Sequence, residues 1–174
     1  MNKKLCIGMF GTCGKSTWRK NLFIPYYENI MGLEDGVDYF NPQVDDWKPE
    51  LAQIEAEHLA EDCIILFPIT SETYGLGSLM ETGFSLLNAI KLDDRRDFIV
   101  MVDQKLDDEL MENKELAEES LKGRVLVLQH LKKLNFSNVY IVNSLKDMLE
   151  ISSILYTNAE CVNDINRKLN ASKD

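Results

Sequence analysis

The chain has 174 residues, 45% of them hydrophobic, and a formal net charge of −10, which is one domain's worth of sequence with enough apolar residues for a full core. Its lysines and arginines are scattered among acids rather than clustered, so DNA or RNA is not the expected partner and a small ligand or a protein is. The apolar part of "MNKKLCIGMF" is short and soon interrupted by "GTCGK", which fits neither a secretion signal nor a membrane span and makes a cytoplasmic protein the expectation.

In chain order, the near-continuous apolar run Lys4–Phe10 predicts a buried strand. A helix is expected over Ser16–Met31, with Pro25 predicting a kink or break inside it. A second strand follows at Val37–Phe40 and a helix at Pro49–Glu61, then a third strand at Cys63–Ile69 and a helix at Gly77–Ile90. The fourth strand is Phe98–Val102, succeeded by a long acidic-to-apolar helix from about Asp107 to Leu134. The fifth is Val139–Val142, with a last helix from Leu145 to about Leu169. Strand and helix patterns that alternate in this way predict a parallel sheet covered on both faces. Five such units suggest a single-domain α/β protein, a flavodoxin-like three-layer sandwich with a five-stranded parallel sheet in the order 2-1-3-4-5. Ligands of such sheets bind beyond the carboxyl ends of the strands at the switch point, here between the first and third strands.

The stretch "GMFGTCGKST" invites comparison with the phosphate loop G-x-x-x-x-G-K-[ST]. The first glycine of that pattern would have to stand where Met9 stands, and Gly11–Gly14 is too short a turn to encircle a polyphosphate. "FIVMVD", ending in Asp103, is the one feature that suits a magnesium-positioning acid. Lys15 and Arg19 would suit a phosphate, or equally would be solvated, and Ser16 is read as the cap of the first helix. Cys6, Cys13, Cys63 and Cys161 contain no C-x-x-C, so neither a disulfide framework nor a metal site is indicated. His58 and His130 are read as surface or packing residues.

The segment after the third strand carries the chemistry. "TSETYG" reads as a loop and "LGSLMETGFSLLNAI" as a helix with Glu81 about one turn in. Ser78 and Glu81 match the capping box S-x-x-E, which needs no function. A carboxylate near a helix N-terminus is also favoured in its ionised form, and Gly77 and Gly83 leave room for a ligand to reach it. Such a carboxylate can attack the anomeric carbon of a sugar and form a glycosyl ester that a second molecule displaces.

At these residues the chain resembles a known family. "YGLGSLMETGFSL" (Tyr74 to Leu86) is similar to the G-x-x-x-E-x-G-[YF] motif of the nucleoside 2-deoxyribosyltransferases, and "GTCGKSTWR", "FNPQVDDW" and "ILFPITSETYG" resemble its nucleoside 2-deoxyribosyltransferase-like branch, over roughly the first hundred residues. The resemblance implies a flavodoxin-like fold, transfer of a deoxyribosyl group between nucleobases, no cofactor and a homo-oligomer. It puts Glu81 at the nucleophile's position, Gly11 and Thr12 at the sugar or base end of the pocket, and Asp46 and Trp47 on its wall. Tyr74 would hydrogen-bond the nucleophile or the sugar, Gly77 and Ser78 would line the approach, and Trp47 and Tyr74 have packing roles as their alternative. Where well-studied members have an aspartate six residues before the nucleophile, this chain has Gly75; Glu72, Asp46 and Asp103 are the candidates for that carboxylate. Three functions remain open: a transferase, a hydrolase with water as acceptor, and a non-catalytic binder of a nucleotide or ADP-ribose-like ligand.

Overall fold

The computed structural model describes residues 5–46, 48–91, 96–133 and 136–171. Lys4, Trp47 and Leu134, named above, lie outside the described residues. Five strands, β1 (Ile7–Met9), β2 (Tyr39–Phe40), β3 (Ile64–Ile69), β4 (Asp97–Val102) and β5 (Val139–Val142), form one sheet in the order β2-β1-β3-β4-β5. Every pairing is parallel, so the fold is the flavodoxin-like α/β sandwich expected from the alternation of patterns.

Side-chain alternation along the strands divides the core in two. Ile7, Met9, Ile64, Leu66, Ile99 and Met101 face Trp18, Phe23 and Tyr27 of the first helical segment and Met148, Leu149 and Tyr156 of the last helix. Phe10, Ile65, Phe67, Phe98, Val100 and Val102 face the opposite layer, with Leu59, Leu79, Val127 and Leu131 packed upon them. That opposite layer is made by α2 (Leu51–Glu61), α3 (Leu76–Lys91) and α4 (Lys114–Leu131), and α5 (Leu145–Ala171) lies on the first face.

Three element boundaries differ from expectation for local reasons. Pro25 does not break the first helix. The short α-helical turn α1 (Ile24–Tyr26) runs through it between two π-helical turns, Arg19–Phe23 and Tyr27–Met31, and the Ile24 N–H reaches back five residues to Arg19, a register that spares the proline its missing donor. β2 begins at Tyr39 because Val37 and Asp38 belong to a turn closed on the Glu34 carbonyl. The long helix after β4 is divided: Asp108–Glu112 is a 3-10 turn, and Asn113 then caps α4 by accepting from the Leu116 N–H, a side-chain cap of the usual kind. Among the described residues no helix is long and apolar enough to cross a membrane.

Candidate functional site

The carboxyl ends of β1 and β3 are held by two buried arginines. β1 stops at Met9, and Pro68 in β3 has no N–H to offer its neighbour. Arg19 supplies donors there instead: Nε to the Met9 carbonyl at 2.9 Å, Nη2 to Phe10 at 3.0 Å and Nη1 to Thr12 at 2.7 Å. Burial pushes its pKa down to about 10, opposed by Cys13. Arg124 reaches up from α4 and uses all five of its N–H donors, on Ser120 Oγ and the carbonyls of Ile69, Asp103, Thr70 and Thr73. Neither arginine is a phosphate ligand, a correction to the reading of Arg19 as a solvated or phosphate-binding cation. Lys15 is exposed and lies 3.9 Å from Glu109.

Between these clamps the loops are tied by hydroxyls. Thr12 Oγ1 lies 3.0 Å from Thr70 Oγ1, and Ser16 Oγ lies 2.8 Å from Thr70 Oγ1 and donates to Glu72 at 2.8 Å. Glu72 also accepts from the Thr17 N–H and hydroxyl. Burial alone would raise its pKa, but the donors from Thr17, Ser16 and Thr70 together outweigh it and the carboxyl is held below its ordinary value. Ser16 therefore serves this knot, and the carboxylate at the head of the first helical segment is Glu72.

Glu81 opens onto a cleft of about 400 Å³ lined by Phe10, Gly11, Cys13, Gly14, Pro42, Gln43, Val44, Asp45, Glu55, Gly77, Ser78 and Glu81. The cleft sits beyond the carboxyl ends of β1, β2 and β3, at the switch point of the sheet. Gly11 is required there: its φ is +90°, and a Cβ would run into the Pro68 carbonyl. A Cβ on Gly77 would meet nothing within 4 Å, which leaves open space beside Glu81. Glu81 is the sixth residue of α3 and Ser78 the third. The helix's first carbonyl acceptor is Gly75, from Leu79 N–H, so Ser78 lies inside the first turn and is not its N-cap, contrary to the capping-box reading. Nor is the Glu81 carboxyl lowered by the helix N-terminus. Burial by the cleft walls, and then the Glu55 charge, raise its pKa, and its place in the second turn puts it past the reach of the dipole.

Of the residues singled out in the sequence, the cleft thus gathers Gly11, Gly77, Ser78 and Glu81. Thr12 is buried beneath it in the hydroxyl knot. Tyr74 donates its hydroxyl to the Leu110 carbonyl at 2.9 Å. Asp46 is exposed and pairs with Lys48 at 3.6 Å, while its neighbour Asp45 lines the cleft. Asp103 lines two other clefts, of about 540 and 390 Å³, where it accepts from the Ser71 N–H at 2.9 Å and burial raises its pKa against that bond and Arg124. The larger of these contains Glu72 as well, where both carboxylates accept from protein donors; the Glu81 cleft, at the switch point of the sheet, is the candidate taken for chemistry. Gly75 has φ +63°, and a Cβ there would lie 3.1 Å from Ile69 Cγ2 and 3.2 Å from Thr12 Cγ2; the backbone itself disfavours an aspartate at this position. The carboxylate that shares the cleft with Glu81 is instead Glu55 of α2, which no motif marked, because only the fold brings the two into one cleft.

No model of a known protein family matches the chain, and no curated protein is significantly similar to it.

Proposed function

We propose that the protein is a nucleoside 2-deoxyribosyltransferase-like enzyme that cleaves the N-glycosidic bond of a nucleoside or nucleotide through Glu81. What supports this is the pairing of Glu81 with Glu55 in a cleft at the switch point of the sheet, since covalent glycosyl chemistry uses two carboxyl groups in different roles. The Glu81 carboxylate attacks C1′, the bond from C1′ to the base nitrogen breaks, and its electron pair leaves with the base. A proton must reach the departing base and leave the incoming one, and Glu55, which lines the same cleft, is the group proposed to carry it. The incoming base attacks C1′ and releases Glu81. Gly77 leaves space for the sugar, and Gln43 and Asp45 offer polar groups to a base.

A second reading is favoured by the exposure of Glu81 to solvent: water can take the place of the incoming base, and the enzyme is then an N-glycoside hydrolase. Chromatography of deoxynucleosides and deoxynucleotides incubated with and without a free base separates the two. A new nucleoside formed only with the acceptor identifies the transferase, and free base released without it the hydrolase. Glu81→Gln must abolish either activity, and a folded Glu81→Gln protein with full turnover would refute the mechanism.

A further inference from the structure

Away from the Glu81 cleft, a thiol, an imidazole and a carboxylate meet behind the sheet. Cys6 precedes β1, His58 lies in α2 and Asp62 follows it, and one ligand atom of each lies within 4.8 Å of the other two. His58 Nδ1 is 3.0 Å from Asp62 Oδ1 and 3.2 Å from Oδ2, and Cys6 hydrogen-bonds to the same carboxylate. Cys6 is 1% and Asp62 4% exposed, while the His58 side chain keeps 26% of its surface open, which leaves a way in from solvent.

The three groups are held in advance. The His58 ring stacks on Phe40 with centroids 3.7 Å apart and planes at 1°. Arg96 fixes the end of α2 by donating to the carbonyls of Asp62 and Leu59. Gly8 makes room, since a Cβ there would lie 2.7 Å from Asp62 Oδ2. Thiolate, imidazole and carboxylate are together the ligand types of zinc, and metal–ligand bonds of usual length at tetrahedral angles separate ligand atoms by about 3.3–3.6 Å, a modest adjustment from the observed cluster.

We propose that Cys6, His58 and Asp62 form a binding site for a zinc-class divalent cation, with three protein ligands and an open fourth position toward the His58 side. On binding, Cys6 gives its thiol proton to solvent and coordinates through sulfur. His58 coordinates through Nδ1 and keeps its one proton by shifting it to Nε2, and Asp62 exchanges its hydrogen bonds for the metal. The site ties α2 to the start of β1 and does not depend on the activity assigned to the Glu81 cleft.

The test is titration of the reduced, full-length protein with Co²⁺, followed by displacement with Zn²⁺. A sulfur-to-cobalt charge-transfer band saturating at one ion per chain is expected. It should vanish in Cys6→Ser, weaken in affinity by about 10-fold or more in His58→Gln, and persist in the triple variant Cys13→Ser, Cys63→Ser, Cys161→Ser, whose only thiol is Cys6. Absence of the band from the unaltered protein, its survival in Cys6→Ser or its loss from a folded triple variant would overturn the proposal. Should Cys6→Ser not fold, the triple variant and His58→Gln, at the partly exposed member of the cluster, decide.

Discussion

The Glu72 carboxylate sits at the head of the first helical segment and accepts from Thr17 twice, from its N–H at 3.0 Å and from its hydroxyl at 2.5 Å. A phosphate-binding loop would place its anion at a helix N-terminus in this way. Here the protein's own side chain fills that position beside Gly14-Lys15-Ser16.

Glu72→Gln is accordingly expected to lower stability by about 1–2 kcal/mol at neutral pH, charge-assisted bonds in a partly exposed setting being worth about that much. Because the folded pKa is depressed, the stabilisation is complete above the ordinary value of 4.5 and is lost as pH falls through the lower folded value. Urea unfolding of both proteins across the acid range checks this: their difference should close on acidification and stay constant near neutrality.

Arg124→Met removes five donors at once and leaves buried carbonyls at the ends of β3 and β4 without them. A loss of about 3–5 kcal/mol is expected. Arg124→Lys should recover only part of it, because a single ammonium cannot reproduce the planar fork. Chemical denaturation midpoints read both.

On the proposed mechanism Glu81 must be ionised to attack, so the acid limb of kcat/KM should follow its raised pKa. Removing the Glu55 charge removes one of the causes of that shift, so Glu55→Gln should move the limb to lower pH. With its proton donor gone, the variant should also lose about 10²-fold or more in kcat. An unmoved limb in initial-rate profiles would mean that Glu55 and Glu81 do not act together.

Gly75→Asp would supply the acid that the resemblance leads one to expect, at φ +63° and against Ile69 and Thr12. It should cost about 1–3 kcal/mol, visible as a lower Tm, and should not raise activity.

The architecture was legible because each strand is a short apolar run between turn residues; β5 matches residue for residue, and the others shift by a few residues at their ends. Glu81 was legible from its helix and from its place after β3. Its partner was not: Glu55 lies 26 residues earlier in an ordinary acidic helix, and periodicity carries no information on which side chains two helices bring together. The roles of Arg19 and Arg124 were hidden for a related reason. Their worth comes from carbonyls left over where strands end, and those ends are set by Pro68 and the turns around it. Ser78 was misplaced as a cap because the helix starts at Leu76, with Gly75 as its first carbonyl acceptor, three residues before the position a Ser78 cap requires. Cys6 and His58 each read as unremarkable alone, and nothing in the sequence pointed to Asp62.

The two arginine clamps bear on how tightly a ligand can be held. Arg19 holds the segment after β1 and Arg124 those after β3 and β4 in the free protein, so the Phe10–Gly11 side of the Glu81 cleft and the loops beneath it have surrendered conformational freedom before anything arrives. A guest then meets stiff walls and forfeits mainly its own motion, and a larger share of each contact survives as affinity.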